Sequence, residues 1–243
     1  MNLPVLTERK ADCTSCELHC QSTDPRTPLS VGLPSLRLLD SLPPSPSVPA
    51  VVFLGQNPGF FEDQAGEIFV GRSGLMVRGG IAGPVVSDTG GYVDGIGLRS
   101  RASVYLANAV RCWTVGDKKP KPKHLKACLP YLIADLEAIA AVHSLTVLIL
   151  MGDTAVQCWH KYHLGTKGEK LSLNRAFSLN GSLHPLPSGL EVVTFATYHP
   201  AYVLRSVNYG YAVHDHMEMV NRLLDGIITP RSKPRIVPHR RLG

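Results

Sequence analysis

Four short apolar runs dominate this chain: Ala50–Leu54, Val104–Val110, Leu145–Leu150 and Glu191–Thr197. Each is rich in β-branched and aliphatic residues, strand-sized, and ends where a polar or glycine-bearing loop begins. Between them lie stretches with helical spacing. His124–His143 places Leu125, Cys128, Leu132, Leu136 and Ile139 on one face, Ala155–Tyr162 is a shorter helix, and His214–Leu224 aligns Met217, Val220 and Leu224. Mostly apolar strands alternating with helices require a sheet covered on both faces. The expected fold is therefore a three-layer α/β/α sandwich around a four-stranded, mainly parallel sheet. An amphipathic patch at Leu33–Leu42 reads as a further short helix, and seven glycines crowd the stretch from Gly79 to Gly97.

In a parallel α/β sheet, ligands bind beyond the carboxyl ends of the strands. Here those ends carry Gly55-Gln56-Asn57-Pro58-Gly59, then Asn108, then Gly152-Asp153, then His199-Pro200. These four loops are the place to look for chemistry.

With 44% hydrophobic and 18% charged residues, the chain has enough apolar surface to build a core, which excludes a disordered polyelectrolyte. Its longest apolar run, around Leu145–Met151, falls well short of the roughly 20 residues of a membrane span. The opening MNLPVLTERK lacks the basic start and apolar stretch of a secretory signal. A soluble, cytoplasmic protein with no membrane partner is expected. Residues 1–225 are expected to form a single domain, and 226–243 a basic tail. That tail holds Arg231, Lys233, Arg235, Arg240 and Arg241 with no acidic residue, and a second basic cluster is Lys118, Lys119, Lys121 and Lys123. Such patches suit a polyanion such as DNA, or equally a solvated loop and tail; charge alone leaves both open.

Six cysteines in an intracellular chain are poor candidates for structural disulfides. Cys13 and Cys16 form a short chelating pair, and Cys112 and Cys128 are separated by the lysine cluster. Four soft thiolates can hold tetrahedral zinc or an iron–sulfur cluster. Cys20 is a substitute ligand. Cys158, inside a helix, reads as a buried apolar residue.

Several of these segments together resemble the family 4 uracil-DNA glycosylases. Cys13-Thr-Ser-Cys16-Glu-Leu18 resembles that family's opening. Gly55-Gln-Asn-Pro-Gly59, continuing to Gly66 and then Phe69-Val-Gly-Arg-Ser-Gly74, resembles its first active-site motif. Asn108-Ala-Val-Arg-Cys112, Cys128-Leu-Pro-Tyr-Leu132 and Met151-Gly-Asp-Thr-Ala155 follow in order, and Tyr198-His-Pro-Ala-Tyr-Val-Leu-Arg205 resembles the second motif. The resemblance spans about residues 13–225. It departs at two places. Gln56 and Asn57 stand where the family usually has glutamate and alanine, and an asparagine there is typical of the mismatch-specific thymine/uracil branch. The glycine-rich stretch from Met76 to Ser103 replaces a regular helix.

The resemblance implies a monofunctional uracil-DNA glycosylase working in base-excision repair. It implies a [4Fe–4S] cluster on Cys13, Cys16, Cys112 and Cys128, structural rather than redox-active, with DNA as partner and a monomeric, bacterial or phage-encoded protein. Asn57 is the candidate for positioning the attacking water, and His199 for stabilising the leaving base. Asn108 is the candidate reader of the base edge, Phe69 the stacking platform, and Gly55 and Gln56 complete the base site. Lys119, Lys121, Leu204 or Tyr202, and Arg205 are candidate DNA contacts. Because Asn57 cannot titrate near neutral pH, slower turnover than with a carboxylate is expected, and because the family's glutamate is missing, a uracil-DNA-binding protein without useful catalysis is the rival expectation. An iron–sulfur redox or regulatory protein is the third.

Overall fold

A computed structural model describes residues 13–20, 36–79, 91–166 and 171–232. The expectations for Cys20's side chain and for the tail beyond residue 232 lie outside these. Six strands form one sheet among the described residues: β1 (Leu36–Leu38), β2 (Ala50–Gly55), β3 (Ser103–Asn108), β4 (Thr146–Met151), β5 (Ser182–Pro185) and β6 (Glu191–Thr197), in the order β1-β3-β2-β4-β6-β5. The helices are α1 (Phe60–Ala65), α2 (Arg72–Arg78), α3 (Gly91–Asp94), α4 (Pro122–Ala140), α5 (Gly152–Val156), α6 (Leu173–Phe177), α7 (Pro200–Val203) and α8 (Val207–Leu224).

The four expected strands are the central, mutually parallel ones, β3-β2-β4-β6. The expectation of a four-stranded sheet is corrected to six, because an antiparallel strand is added at each edge. One of them, β1, falls within the patch expected to be helical at Leu33–Leu42. Over so short a window the helical and extended periods cannot be told apart, and here Leu36 and Leu38 pair with Ala107 and Tyr105 of β3. The other, Ser182-Leu-His-Pro185, carries no β-branched residue and ends in proline, which an edge strand tolerates. The chain beyond α8 returns to this edge, where Arg231 bridges Ser182. The helix expected at Ala155–Tyr162 begins earlier, as α5, and widens into a π-helical turn over Gln157–His163.

Strand alternation sorts the core into two layers. Val51 and Phe53 of β2 face Met76, Tyr92, Val203 and Met217 of α2, α3, α7 and α8. Ala50, Val52 and Leu54 face the other way, into the layer containing Leu132, Leu136 and Ile139 of α4 and Trp159. Full burial of each Val, Leu, Ile, Phe or Met among them contributes about 1.5–3 kcal/mol. None of the described helices is long and apolar enough to cross a membrane.

One ionic contact lies inside this packing. Arg111, just after β3, donates to Asp135 of α4 at 2.7 Å, with side-chain exposures of 4% and 1%, and its guanidinium lies 4.7 Å from the Tyr131 ring centre. Removing Asp135 takes a buried carboxylate away from a buried guanidinium. Asp135→Ala is therefore expected to lose about 3–5 kcal/mol in urea unfolding at neutral pH. A loss under about 1 kcal/mol would show that the pair does not hold α4 to the sheet.

Candidate functional site

All four loops meet at the carboxyl edge of the sheet. Gly55, the last residue of β2, is the hinge of the arrangement. A Cβ placed there would lie 2.6 Å from Asn108 Oδ1 and 2.8 Å from Phe69 Cζ. Phe69 itself has a left-handed backbone, φ 60°, a conformation that costs a bulky residue about 1–3 kcal/mol. It is wedged there by Gly74, whose absent Cβ would lie 2.1 Å from the Phe69 carbonyl carbon. On the far side, Gly152 (φ 82°) opens α5 against His199, where a Cβ would approach His199 Cβ to 2.9 Å.

Asn57, Phe69, Asn108 and His199 line one cavity of about 270 Å³. Asn108 is buried at the end of β3. Backbone bonds from Ala109 to Gly55 and from Val110 to Gln56 tie the chain after Asn108 to the first loop. A larger groove adjoins the cavity. It shares Asn57 and His199 and is walled by Gln56, Lys119, Tyr202 and Arg205. Lys121, exposed at the N-cap of α4, is not part of either wall. Leu204 packs on the core, whereas Tyr202 is 47% exposed.

Hydrogen bonds fix the orientation of Asn57. Its Nδ2 donates to the Pro58 carbonyl at 2.8 Å and to Thr114 Oγ1 at 3.3 Å. Its Oδ1 accepts from Gln56 Nε2 at 2.9 Å, and Gln56 Oε1 accepts from Thr154 Oγ1 at 2.7 Å. The Pro58 carbonyl can only accept, so the Asn57 atom facing it must be the amide nitrogen. That choice propagates: Oδ1 must face the Gln56 nitrogen, and the Gln56 oxygen must face the Thr154 hydroxyl. Thr114 in turn donates to the Lys118 carbonyl. Both Asn57 amide protons are used, so only acceptor capacity on Oδ1 remains. The Gln56 side chain lies in the groove with both polar ends of its amide on protein partners.

His199 N-caps α7, its Nδ1 accepting from the Ala201 N–H at 3.2 Å. The proton of the neutral ring therefore sits on Nε2, leaving that N–H as a donor. Desolvation, then the nearby Arg205 charge, pulls the imidazole down to about 4, so it is neutral at physiological pH.

Glu62 closes the mouth. One oxygen accepts from the Gly59 N–H at 3.0 Å and the other from the Gly71 N–H at 2.7 Å, joining the two parts of the first motif. Glu62 and Thr154 lie within segments that carry the family resemblance, and Glu62 is also the third residue of a helix opening after Gly59; Thr114 and Asp117 have no such signal in the sequence.

The thiols lie apart from this cavity. Cys112 and Cys128 are buried in the α4-side layer, with Cys16 packed against the same layer. Cys13 Sγ is 3.7 Å from the hydroxyl of Tyr131, a helical neighbour of Cys128. Among the described residues, no three His, Cys, Asp or Glu side chains are arranged to hold a single metal ion. Cys158 is buried, and burial followed by the neighbouring Cys128 pushes its thiol up to about 12, which suits an inert apolar role.

Residues 44–224 match the family model described as the uracil DNA glycosylase superfamily. The chain is 28% identical over 204 residues to a type-4 uracil-DNA glycosylase of Thermotoga maritima, covering 84% of each chain. It is 26% identical over 205 residues to the type-4 uracil-DNA glycosylase of Pyrobaculum aerophilum, covering 84% of this chain and 86% of that one. With the Archaeoglobus fulgidus type-4 enzyme it shares 31% over 156 residues, 63% of this chain and 66% of the other.

The depressed His199 value has a definite pH consequence. The unfolded imidazole, near 6.5, binds a proton that the folded one refuses until about 4. Its contribution to stability is complete above pH 6.5 and is lost as pH falls towards 4. By NMR, the His199 ring should keep the Nε2–H tautomer down through pH 6.5 and protonate only near 4. A midpoint near 6.5 would contradict the desolvated, capping geometry.

Proposed function

The chain belongs to the uracil DNA glycosylase superfamily, and on that premise we propose that it hydrolyses the N-glycosidic bond of uracil in DNA. The observation that supports this best is the convergence of Asn57, Phe69, Asn108 and His199, drawn from separate loops, on one cavity. An extruded nucleotide places its base against Phe69, whose ring supplies a stacking face. The Asn108 amide offers a donor and an acceptor side by side, matching O4 and N3–H of uracil. Cytosine presents the reverse pattern and would leave buried polar groups unpaired.

As the bond between C1′ and the base breaks, its electron pair moves onto the base and charge grows on the base carbonyl oxygen. The Nε2–H of neutral His199 is the donor for that oxygen. Water adds to C1′, and Asn57 Oδ1 accepts one of its protons in a hydrogen bond. An amide cannot take that proton, which passes to solvent, so Asn57 orients the nucleophile without serving as a base. Thr154 acts one step behind, through Gln56. Other deaminated or mismatched bases stay within reach of this site, because Gly59 supplies no side chain to exclude a 5-methyl group.

Cys13, Cys16, Cys112 and Cys128 would hold a [4Fe–4S] cluster. The donor set fits: four thiols, with Cys16 packed on the layer that holds Cys112 and Cys128, a chemistry that favours iron–sulfur or zinc over harder ions. The cluster would supply a cross-link among the N-terminal segment, the chain after β3, and α4. Cys112→Ser is expected to lose iron and the brown thiolate–iron absorption. Unchanged iron content and spectrum would remove Cys112 from the ligand set.

A uracil-DNA-binding protein without catalysis is the second reading, favoured by the amide at Asn57. One assay separates the two. Oligonucleotides containing uracil, single- and double-stranded, are incubated and then cleaved with alkali at abasic sites. The glycosylase reading expects product from wild type and a loss of about a hundredfold in kcat for Asn57→Ala. It expects a drop of about tenfold in kcat with KM kept for Thr154→Val, and near wild-type rate for Thr154→Ser. No abasic product at stoichiometric protein would exclude the glycosylase reading.

A further inference from the structure

We propose that Phe60 and Phe61 form a stacking platform for the unpaired base next to the extruded nucleotide, making single-stranded DNA the favoured substrate. The proposal rests on the glycosylase reading and adds the strand context. Both rings line the mouth of the cavity that holds Asn57 and Phe69, yet they are 42% and 66% exposed. Large aromatic faces left open at a ligand cavity have a use for that exposure.

The platform is built rather than incidental. Phe60 meets Phe61 edge-to-face at 5.8 Å and 74°, and meets Trp113 behind it at 6.1 Å and 65°. Asp117 pins the group: its Oδ1 accepts from Trp113 Nε1 at 2.6 Å and from the Phe60 N–H at 3.1 Å. To do so it holds a left-handed backbone, φ 52°, in a residue that is not glycine. The chain then runs directly into exposed Lys118 and Lys119, and Lys119 lines the adjoining groove. Stacking faces beside cations are what a nucleic-acid single strand engages. In a duplex the neighbouring base stays paired and stacked on its far side after the extrusion, so it can turn out onto the platform only when the strand is single. Continuity with the base cavity, and the adjacent lysines, favour a nucleobase over an apolar protein surface.

The test is a thermodynamic cycle read by fluorescence anisotropy. Single-stranded oligonucleotides carry a 2′-fluorinated deoxyuridine that resists hydrolysis, and the base on each side of it is in turn kept or replaced by an abasic spacer. Wild type is expected to lose about tenfold in affinity when one of the two neighbours is removed. Phe61→Ala should bind the intact strand about as weakly as wild type binds the spacer strand, and lose nothing further with the spacer. Phe61→Tyr should behave as wild type. Phe61 is on the surface, so unchanged circular dichroism is expected for both variants. If removal of either neighbour weakens wild type and Phe61→Ala alike, or weakens neither, the platform is refuted. Failure of wild type to release uracil from an ordinary uracil oligonucleotide would instead sink the glycosylase reading, while the binding cycle still reports on the platform.

Discussion

The absence of a side chain at Gly55 is the constraint on which the site depends. β2 ends in the middle of the sheet, flanked by β3 and β4, so any side chain at its last residue would project into the space the neighbouring loops need. With hydrogen there, Asn108 from β3 and Phe69 from the following loop occupy the space a Cβ at Gly55 would need. A methyl group would have to displace both an amide and a ring that are themselves held by packing. The cavity is thus a by-product of parallel topology, which brings four strand ends to one edge, and of one position where the backbone is bare.

Around that position, orientation is set by groups that can play only one hydrogen-bonding role. The Pro58 and Lys118 carbonyls can only accept, and they dictate the direction of every bond from Thr114 through Asn57 and Gln56 to Thr154. The Ala201 N–H can only donate, and it dictates the tautomer of His199. The outcome is a site with a fixed acceptor at Asn57 and a fixed donor at His199. Both are neutral, so neither needs a proton from solvent before reaction. A site preorganised in this way spends little on reorganisation as charge develops.

The central fold was legible because its strands are nearly pure apolar runs, and Ala50–Leu54, Leu145–Leu150 and Glu191–Thr197 need no partner to be recognised. The edges were not legible. Leu36–Leu38 is too short to reveal its period, and Ser182–Pro185 is polar because an edge strand can be. The four loops at the strand ends could be found from topology alone, and Asn57, Asn108 and His199 stand there as expected. What sequence could not supply was the connection between them. Thr154 lies far from Asn57 along the chain and supports it only through Gln56, and Asp117 fixes Phe60 from a different loop. Threonine and aspartate carry no periodicity, so their partners emerge only in three dimensions.

The central claim is that these loops form a single slot for one base, with Asn108 on its edge and His199 on its carbonyl. Titration of the protein with free uracil, followed by NMR, tests it most directly. The account predicts that the Asn57 and Asn108 side-chain amides, the Phe69 ring and the His199 Nε2–H shift together along one saturable curve, and that cytosine leaves them in place. Shifts scattered over other surfaces, or an equal response to cytosine, would contradict it.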